Sequence, residues 1–262
     1  MCLILMGVDT SPNFPFILAA NRDEFYNRPT AELDYWQDQP DILAGRDLVA
    51  GGTWLGVHTS GRFAALTNYR DPADLKPGAP SRGEIIPDCL LFGGTVEEFL
   101  KQLENKAKVY TGFNLVTGEL LDQKHGPSLF WFSNQGRGIK QIPQGFHGVS
   151  NHLLNTAWPK VTRGTKALSQ CLKTGSTDDN TLFELLKDRH IARDDQLPQT
   201  GVGPEWERIL SPMFIQSPTY GTRSSTLIRV DADRFITITE RTYDPADQSQ
   251  FSDRCFTLPP GR

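Results

Sequence analysis

Residues 2–24 read CLILMGVDTSPNFPFILAANRDE, and their apolar rhythm sets the fold. Leu3 to Gly7 and Phe14 to Ala20 are apolar runs of strand length. Between them, Val8-Asp9-Thr10-Ser11-Pro12-Asn13 consists of turn residues. The stretch predicts a hairpin. Both runs are continuously apolar instead of alternating, so each strand is expected to be covered on both faces. With the loop centred on Asp9 to Asn13, Cys2 falls opposite Ala20 and Asn21. Arg22, Asp23 and Glu24 then emerge beside it, placing one cation and two carboxylates next to a thiol.

That thiol has particular chemistry. Cys2 follows the initiator Met1, and a small second residue permits removal of the methionine. The exposed cysteine would carry its own base, because an α-amino group titrates near 7.7 to 8.0, close to neutrality. The thiolate is the reactive form, and a neighbouring cation such as Arg22 favours it. Arg22 is equally suited to a substrate carboxylate, and Asp23 to orienting the α-amine through a charge-assisted hydrogen bond. Without those neighbours, Cys2 would read as a small buried hydrophobe opening a strand.

Acyl transfer also needs donors for a developing oxyanion. Asn68 ends a second expected hairpin, Thr53 to Val57 and Arg62 to Asn68, joined by His58-Thr59-Ser60-Gly61. Asn151 ends a later strand, Phe146 to Ser150. Both matter only if their strand ends converge on Cys2. Glu32 to Gly52 reads as loop with short strands. The Pro- and Gly-rich run from Asp71 to Gly83 reads as a long exposed connection, placed by its position after Asn68 to gate a cleft.

Further along, helices are expected at Glu84–Phe92, Thr95–Lys106, Pro159–Lys173 and Asp178–Arg189. Thr95 with Glu98 forms a capping box. Strands are expected at Phe113–Thr117, Leu129–Ser133, Thr226–Asp231, Phe235–Glu240 and Arg254–Leu258. Strands, then helices, then strands describe a mixed α+β layered domain.

Composition excludes several functions. The 262 residues carry a net charge of −4 with no basic stripe, against nucleic-acid binding. The apolar stretch before Asp9 is too short for a signal peptide, and no run of apolar residues reaches membrane-span length. Cys2, Cys89, Cys171 and Cys255 are scattered and match no zinc or haem-attachment spacing, so a reduced, cytoplasmic protein with no metal is expected.

The segments MCLIL, LAANRDEFYNRPT, LAGRD, GGTWLGV, GRFAALTNYRDP and SRGE together resemble the NRDE-motif family, also called transport and Golgi organization protein 2-like. GFNLV, GVSNHLLNTAWPK and YGTRSSTLIRVD extend the likeness to about residue 242. The resemblance implies one domain over residues 1–262 with the four-layer αββα sandwich of N-terminal-nucleophile hydrolases. The bile-salt hydrolase and penicillin V acylase group looks similar in its N-terminal Cys, its Arg-Asn-x-Asp stretch and its Thr-Asn segment. By that resemblance Cys2 is the nucleophile, Arg22 and Asp23 take electrostatic roles, and Asn68 and Asn151 serve the oxyanion or the α-amine. Asn21, Glu24, Trp54, Tyr69, Arg82 and Arg223 lie in the same motifs as substrate-binding positions. The order Asn21-Arg22-Asp23-Glu24 leaves either carboxylate as the acylases' equivalent. Arg223 precedes Ser224-Ser225 instead of following them, with Arg229 as the other option.

The implied activity is hydrolysis or acyl transfer on a small amide, with no cofactor required. The alternative is a non-enzymatic carrier of haem or an acyl-CoA-like lipid in the same cleft. For haem, His58, His125, His147, His152 and His190 are available, though none sits in an axial-ligand motif. Phe25, Tyr26, Trp36, Trp54 and Trp158 are the aromatic candidates for lining such a cleft.

Overall fold

In the computed structural model, which describes residues 2–121 and 126–260, the opening stretch is a hairpin. Met1 and His125 lie outside the described residues. Strand β1 (Cys2–Val8) pairs antiparallel with β2 (Phe16–Phe25). Phe14 and Pro15 belong to the turn and not to the strand. Asp9 N donates to Pro15 O at 2.8 Å, and the ladder starts at Val8 and Phe16. Pro15 has no N–H to give a ladder, so the strand begins after it. This moves the register by two, and Cys2 faces Arg22 directly, not Ala20 and Asn21.

The chain continues through β3 (Thr30–Tyr35), β4 (Ile42–Asp47), β5 (Leu55–His58) and β6 (Arg62–Asn68). Helices α1 (Ile85–Leu90) and α2 (Val96–Lys106) follow, the second opened by the expected Thr95–Glu98 capping box. Next come β7 (Phe113–Glu119), β8 (Ser128–Ser133), β9 (Lys140–Gln141) and β10 (Gly145–Val149). Helix α3 (Pro159–Thr174) starts on a proline at its first turn and stops at Gly175, whose φ of 71° suits a left-handed cap. Helices α4 (Asp179–Leu186) and α5 (Pro204–Ile209) lead into β11 (Tyr220–Val230), β12 (Ile236–Tyr243) and β13 (Phe251–Leu258).

These strands make two antiparallel sheets. One has the order β10-β1-β2-β11-β12-β13, the other β3-β4-β5-β6-β7-β8-β9. Ile4, Met6, Phe16 and Leu18 meet Val57, Phe63, Val116 and Trp131 between the sheets. On the outer face of the first sheet, Leu3, Leu5, Ile17 and Ala19 pack on Val161, Leu168, Leu182 and Phe183 of α3 and α4. Ala64, Leu66 and Leu115 of the second sheet pack on Ile86, Leu90, Phe99 and Leu103 of α1 and α2. The layers run α-β-β-α. Continuous apolarity in β1 and β2 thus has its cause: one face meets a sheet and the other meets helices.

Strand β11 starts six residues before the expected Thr226. Tyr-Gly-Thr-Arg-Ser-Ser reads as loop because it is polar, yet it pairs along the equally polar end of β2. The register shifts between Thr222 and Ser224, leaving Arg223 bulged out of the ladder.

Candidate active site

Strand parity decides which side chains meet. In β2, Phe16, Leu18 and Ala20 face the other sheet, so Arg22 does too; Ile17 and Ala19 face the helices, so Asn21 and Asp23 do. In β1, Ile4 and Met6 face the other sheet, and Cys2 shares their side. Cys2 and Arg22 are therefore opposite neighbours on one face, at the end of the space between the sheets.

A cleft of about 400 Å³ opens there. Cys2, Arg22, Asp23 and Glu24 line it from the first sheet. Thr53, Trp54, Leu66 and Asn68 line it from the second. Lys76 and residues Ala79 to Gly83 of the long connection form a further wall, so that segment does stand over the cleft. Cys2 is only partly covered, while the atoms packed round it push its thiol up. Asp23 adds to that rise and Arg22 opposes it. The Arg22 guanidinium lies 4.2 Å from the Trp54 ring centroid, a stack that fixes its plane. Its Nη1 is buried with no hydrogen-bond partner among the described residues.

The two sheets are stitched together beside the thiol. Ser150 Oγ donates to Cys2 O at 3.1 Å, and Thr67 Oγ1 donates to Ser150 O at 2.5 Å. Asn151 is fully buried; its Nδ2 donates to Asn68 O at 2.9 Å, and its Oδ1 accepts from Ser150 Oγ and Arg70 Nη2. Arg70 in turn forms a buried pair with Glu207 at 2.6 Å. The ends carrying Asn68 and Asn151 do converge on Cys2, with different outcomes. The Asn68 side chain lines the cleft and makes no hydrogen bond among the described residues, which leaves its Nδ2 for a ligand. The Asn151 amide is committed to holding Asn68 and does not line the cleft.

Asp23 sits on the helical side of its strand, where Oδ1 accepts from Thr222 Oγ1 at 2.7 Å. Burial pushes its carboxyl up, and Lys160 is the foremost charge pulling it back. Lys160 is itself buried, donates to Leu210 O at 3.0 Å, and is driven down to about 8 by desolvation. Sequence reasoning missed this residue. The available signal was a cation in the first turn of a helix, where the macrodipole disfavours it.

Other expected site residues lie elsewhere. Asn21 Nδ2 is spent on Leu186 O and Met213 O, tying β2 to the helical layer. Tyr69 stacks on His152, 5.0 Å between centroids, outside the cleft lining. The bulged Arg223 turns to the carbonyls of Phe25, Tyr26 and Arg28. Arg229 pairs with Asp179, so neither late arginine reaches the thiol. Of the five aromatic candidates only Trp54 lines the cleft. Trp36 packs under α1 and α2, and Trp158 lies against Arg70. Among the described residues no histidine lines the cleft, and no group of His, Cys, Asp and Glu is arranged to hold a metal ion. All four cysteines are free. No helix among the described residues is long and apolar enough to cross a membrane.

Two antiparallel sheets between helical layers make an α+β fold that matches the fold of N-terminal-nucleophile hydrolases. Two mutant forms of the conjugated bile acid hydrolase from Clostridium perfringens share it. The TM-scores are 0.50 and 0.51, at 10% and 9% identity, covering 98% and 97% of this chain and 96% and 92% of those chains. At such identity the likeness is one of fold alone. The chain belongs to the Transport and Golgi organisation 2 family, whose model matches residues 1–245. It is 34% identical over 272 residues to the Transport and Golgi organization protein 2 homolog of Homo sapiens, covering 98% of each. The mouse homolog is 33% identical over 272 residues with the same coverage. The Drosophila melanogaster protein is 28% identical over 271 residues, covering 94% of each.

Proposed function

We propose that this protein is a cytoplasmic N-terminal-cysteine amidohydrolase acting on a small amide. The observation that carries the reading is the meeting of a thiol, a facing guanidinium and an uncommitted asparagine amide in one cleft. After removal of Met1, the Cys2 α-amine takes the thiol proton, and Sγ attacks the amide carbonyl. Asn68 Nδ2 donates to the oxyanion. The amine then returns the proton to the leaving nitrogen as the C–N bond breaks, giving an acyl thioester and a free amine. Water, deprotonated by the same α-amine, hydrolyses the thioester and restores the thiol. Arg22 favours the thiolate against burial, and Asp23 holds the α-amine in place with Lys160 sustaining its charge.

The carrier reading has less behind it. Cys2 apart, the cleft lining offers no side chain of the kind that ligates haem iron. The chemistry present suits acyl transfer.

The test is the intact mass of the natively expressed protein before and after brief exposure to a limiting thiol alkylator. Loss of Met1 with rapid single labelling at Cys2, followed by amide turnover that Cys2→Ser abolishes, is the expected result. Retained Met1 in active protein, or a Cys2 no more reactive than Cys171, would sink the reading.

A further inference from the structure

Two of the four cations lining the cleft, Arg28 and Lys76, have carboxylates beside them. Arg28 is held by Asp47 at 2.6 Å and Glu24 at 4.0 Å. Lys76 gives its protons to the carbonyls of Lys108 and Tyr110, with Asp74 at 3.4 Å. Asp47 also accepts from the N–H groups of Val49 and Ala50. Arg22 and Arg82 have no carboxylate within salt-bridge distance among the described residues. Arg82 spends Nη1 on Gly112 O at 3.0 Å and leaves Nε and Nη2 without a hydrogen bond. Its guanidinium is partly buried, which depresses its pKa, and it stands within electrostatic reach of Cys2 and Glu24. A planar guanidinium fork with free N–H groups matches a carboxylate.

Both arginines are also held rigidly relative to one another. Arg22 is stacked on Trp54. The turn bearing Arg82 is pressed on the loop leading to Trp54: Thr53 N donates to Gly83 O at 3.1 Å, and a Cβ on Gly52 would lie 2.4 Å from Gly83 C and O. The lining also includes the apolar residues Trp54, Leu66, Ala79 and Pro80. At about 400 Å³ the space lies at the small end of ligand pockets.

We propose that the cleft selects amides carrying a carboxylate close to the scissile bond, with an apolar acyl portion along Trp54 and Leu66, and that Arg82, backed by Arg22, receives the carboxylate. N-acyl amino acids and monoamides of dicarboxylic acids have this pattern. The inference rests on the amidohydrolase reading, and it names the substrate class of that site. Hydrolysis of an N-acyl amino acid breaks its C–N bond, adds water across it, and releases a carboxylic acid and an amino acid.

The test uses Cys2→Ser protein, which binds without turnover, titrated calorimetrically with N-decanoylglycine and N-butylsuccinamic acid against their uncharged primary amides. At least one acid is expected to bind about tenfold or more tighter than its amide. That ratio falls towards one in a Cys2→Ser, Arg82→Gln protein and is partly restored by Arg82→Lys. Equal binding of acids and amides, binding of neither at millimolar concentration, or a preference untouched by Arg82→Gln overturns the proposal. The two readings fail separately. Acid-selective binding with no turnover of any amide by the wild type removes the hydrolase and keeps the anion site. Turnover of neutral amides at an equal or higher kcat/KM removes the anion site and keeps the hydrolase.

Discussion

Cys2 stands directly across the β1–β2 ladder from Arg22, with both side chains turned into the space between the sheets. Directly opposed antiparallel neighbours hold their Cβ atoms about 5 Å apart, within the range at which a guanidinium acts on a thiolate. Burial raises the thiol and Arg22 draws it back. Arg22→Leu should therefore slow alkylation of Cys2 at neutral pH, because one of the charges favouring the thiolate is removed. The rate-against-pH curve should move to higher pH, and Arg22→Lys should retain most of the wild-type rate. Cys89, pushed up to about 12 by burial, serves as an internal silent thiol in the same digest.

Asn68 and Asn151 should separate cleanly into chemistry and scaffold. Asn68→Ala is expected to lower kcat by about 10²–10³-fold with little change in a urea melt, as loss of one oxyanion donor does. Asn151→Ala removes the buried amide that donates to Asn68 O and accepts from Ser150 Oγ and Arg70 Nη2. That should lower stability by roughly 2–3 kcal/mol. Equal stability losses in the two variants would contradict the division.

Lys160 offers a pH test. It is the foremost charge lowering a carboxyl that burial has raised, so Lys160→Met should raise Asp23 further. Asp23 acts ionised, hence the acid limb of kcat/KM moves to higher pH in the variant. In the wild type, Lys160 loses its own proton at about 8, which should start an alkaline decline there. An acid limb unmoved by Lys160→Met would detach the lysine from the site.

Gly52→Ala probes the wall of the cleft. The added methyl would meet the Gly83 backbone at 2.4 Å, and backbone cannot rotate away as a side chain can. A cost of about 1–3 kcal/mol is expected, together with weaker binding of small-molecule probes. Thermal melts and probe titration measure both.

Much of this was readable from residues 2–24. Apolar continuity in β1 and β2 encodes a double burial that only sheet and helices together provide, so the layered architecture follows from local pattern. The register did not, because Pro15 extends the turn by steric means that hydropathy does not register. Parity puts Cys2 beside Arg22, while Asn68 at the end of β6 and Trp54 and Arg82 in connections reach the same cleft by position. Asn21 and Arg223 were drawn to the site by motif membership. Parity sends the first to the helical face, and a bulge sends the second to the carbonyls of the following turn. Lys160 showed only as a cation in the first turn of a helix, because its importance lies in a partner well over a hundred residues away.

The stitch around Cys2 also bears on the life of the nascent chain. Cys2 and Ser150 are 148 positions apart, and Asp23 and Thr222 are 199 apart. Strand β2 lies between β1 and β11, so the sheet holding the thiol stays open until nearly the whole polypeptide has left the ribosome. Domains assemble as units during synthesis, and contacts of such long separation form late. On the proposed mechanism, methionine removal would act on an exposed terminus well before the cleft exists. The amine would then be freed first, and the cleft would close round it afterwards.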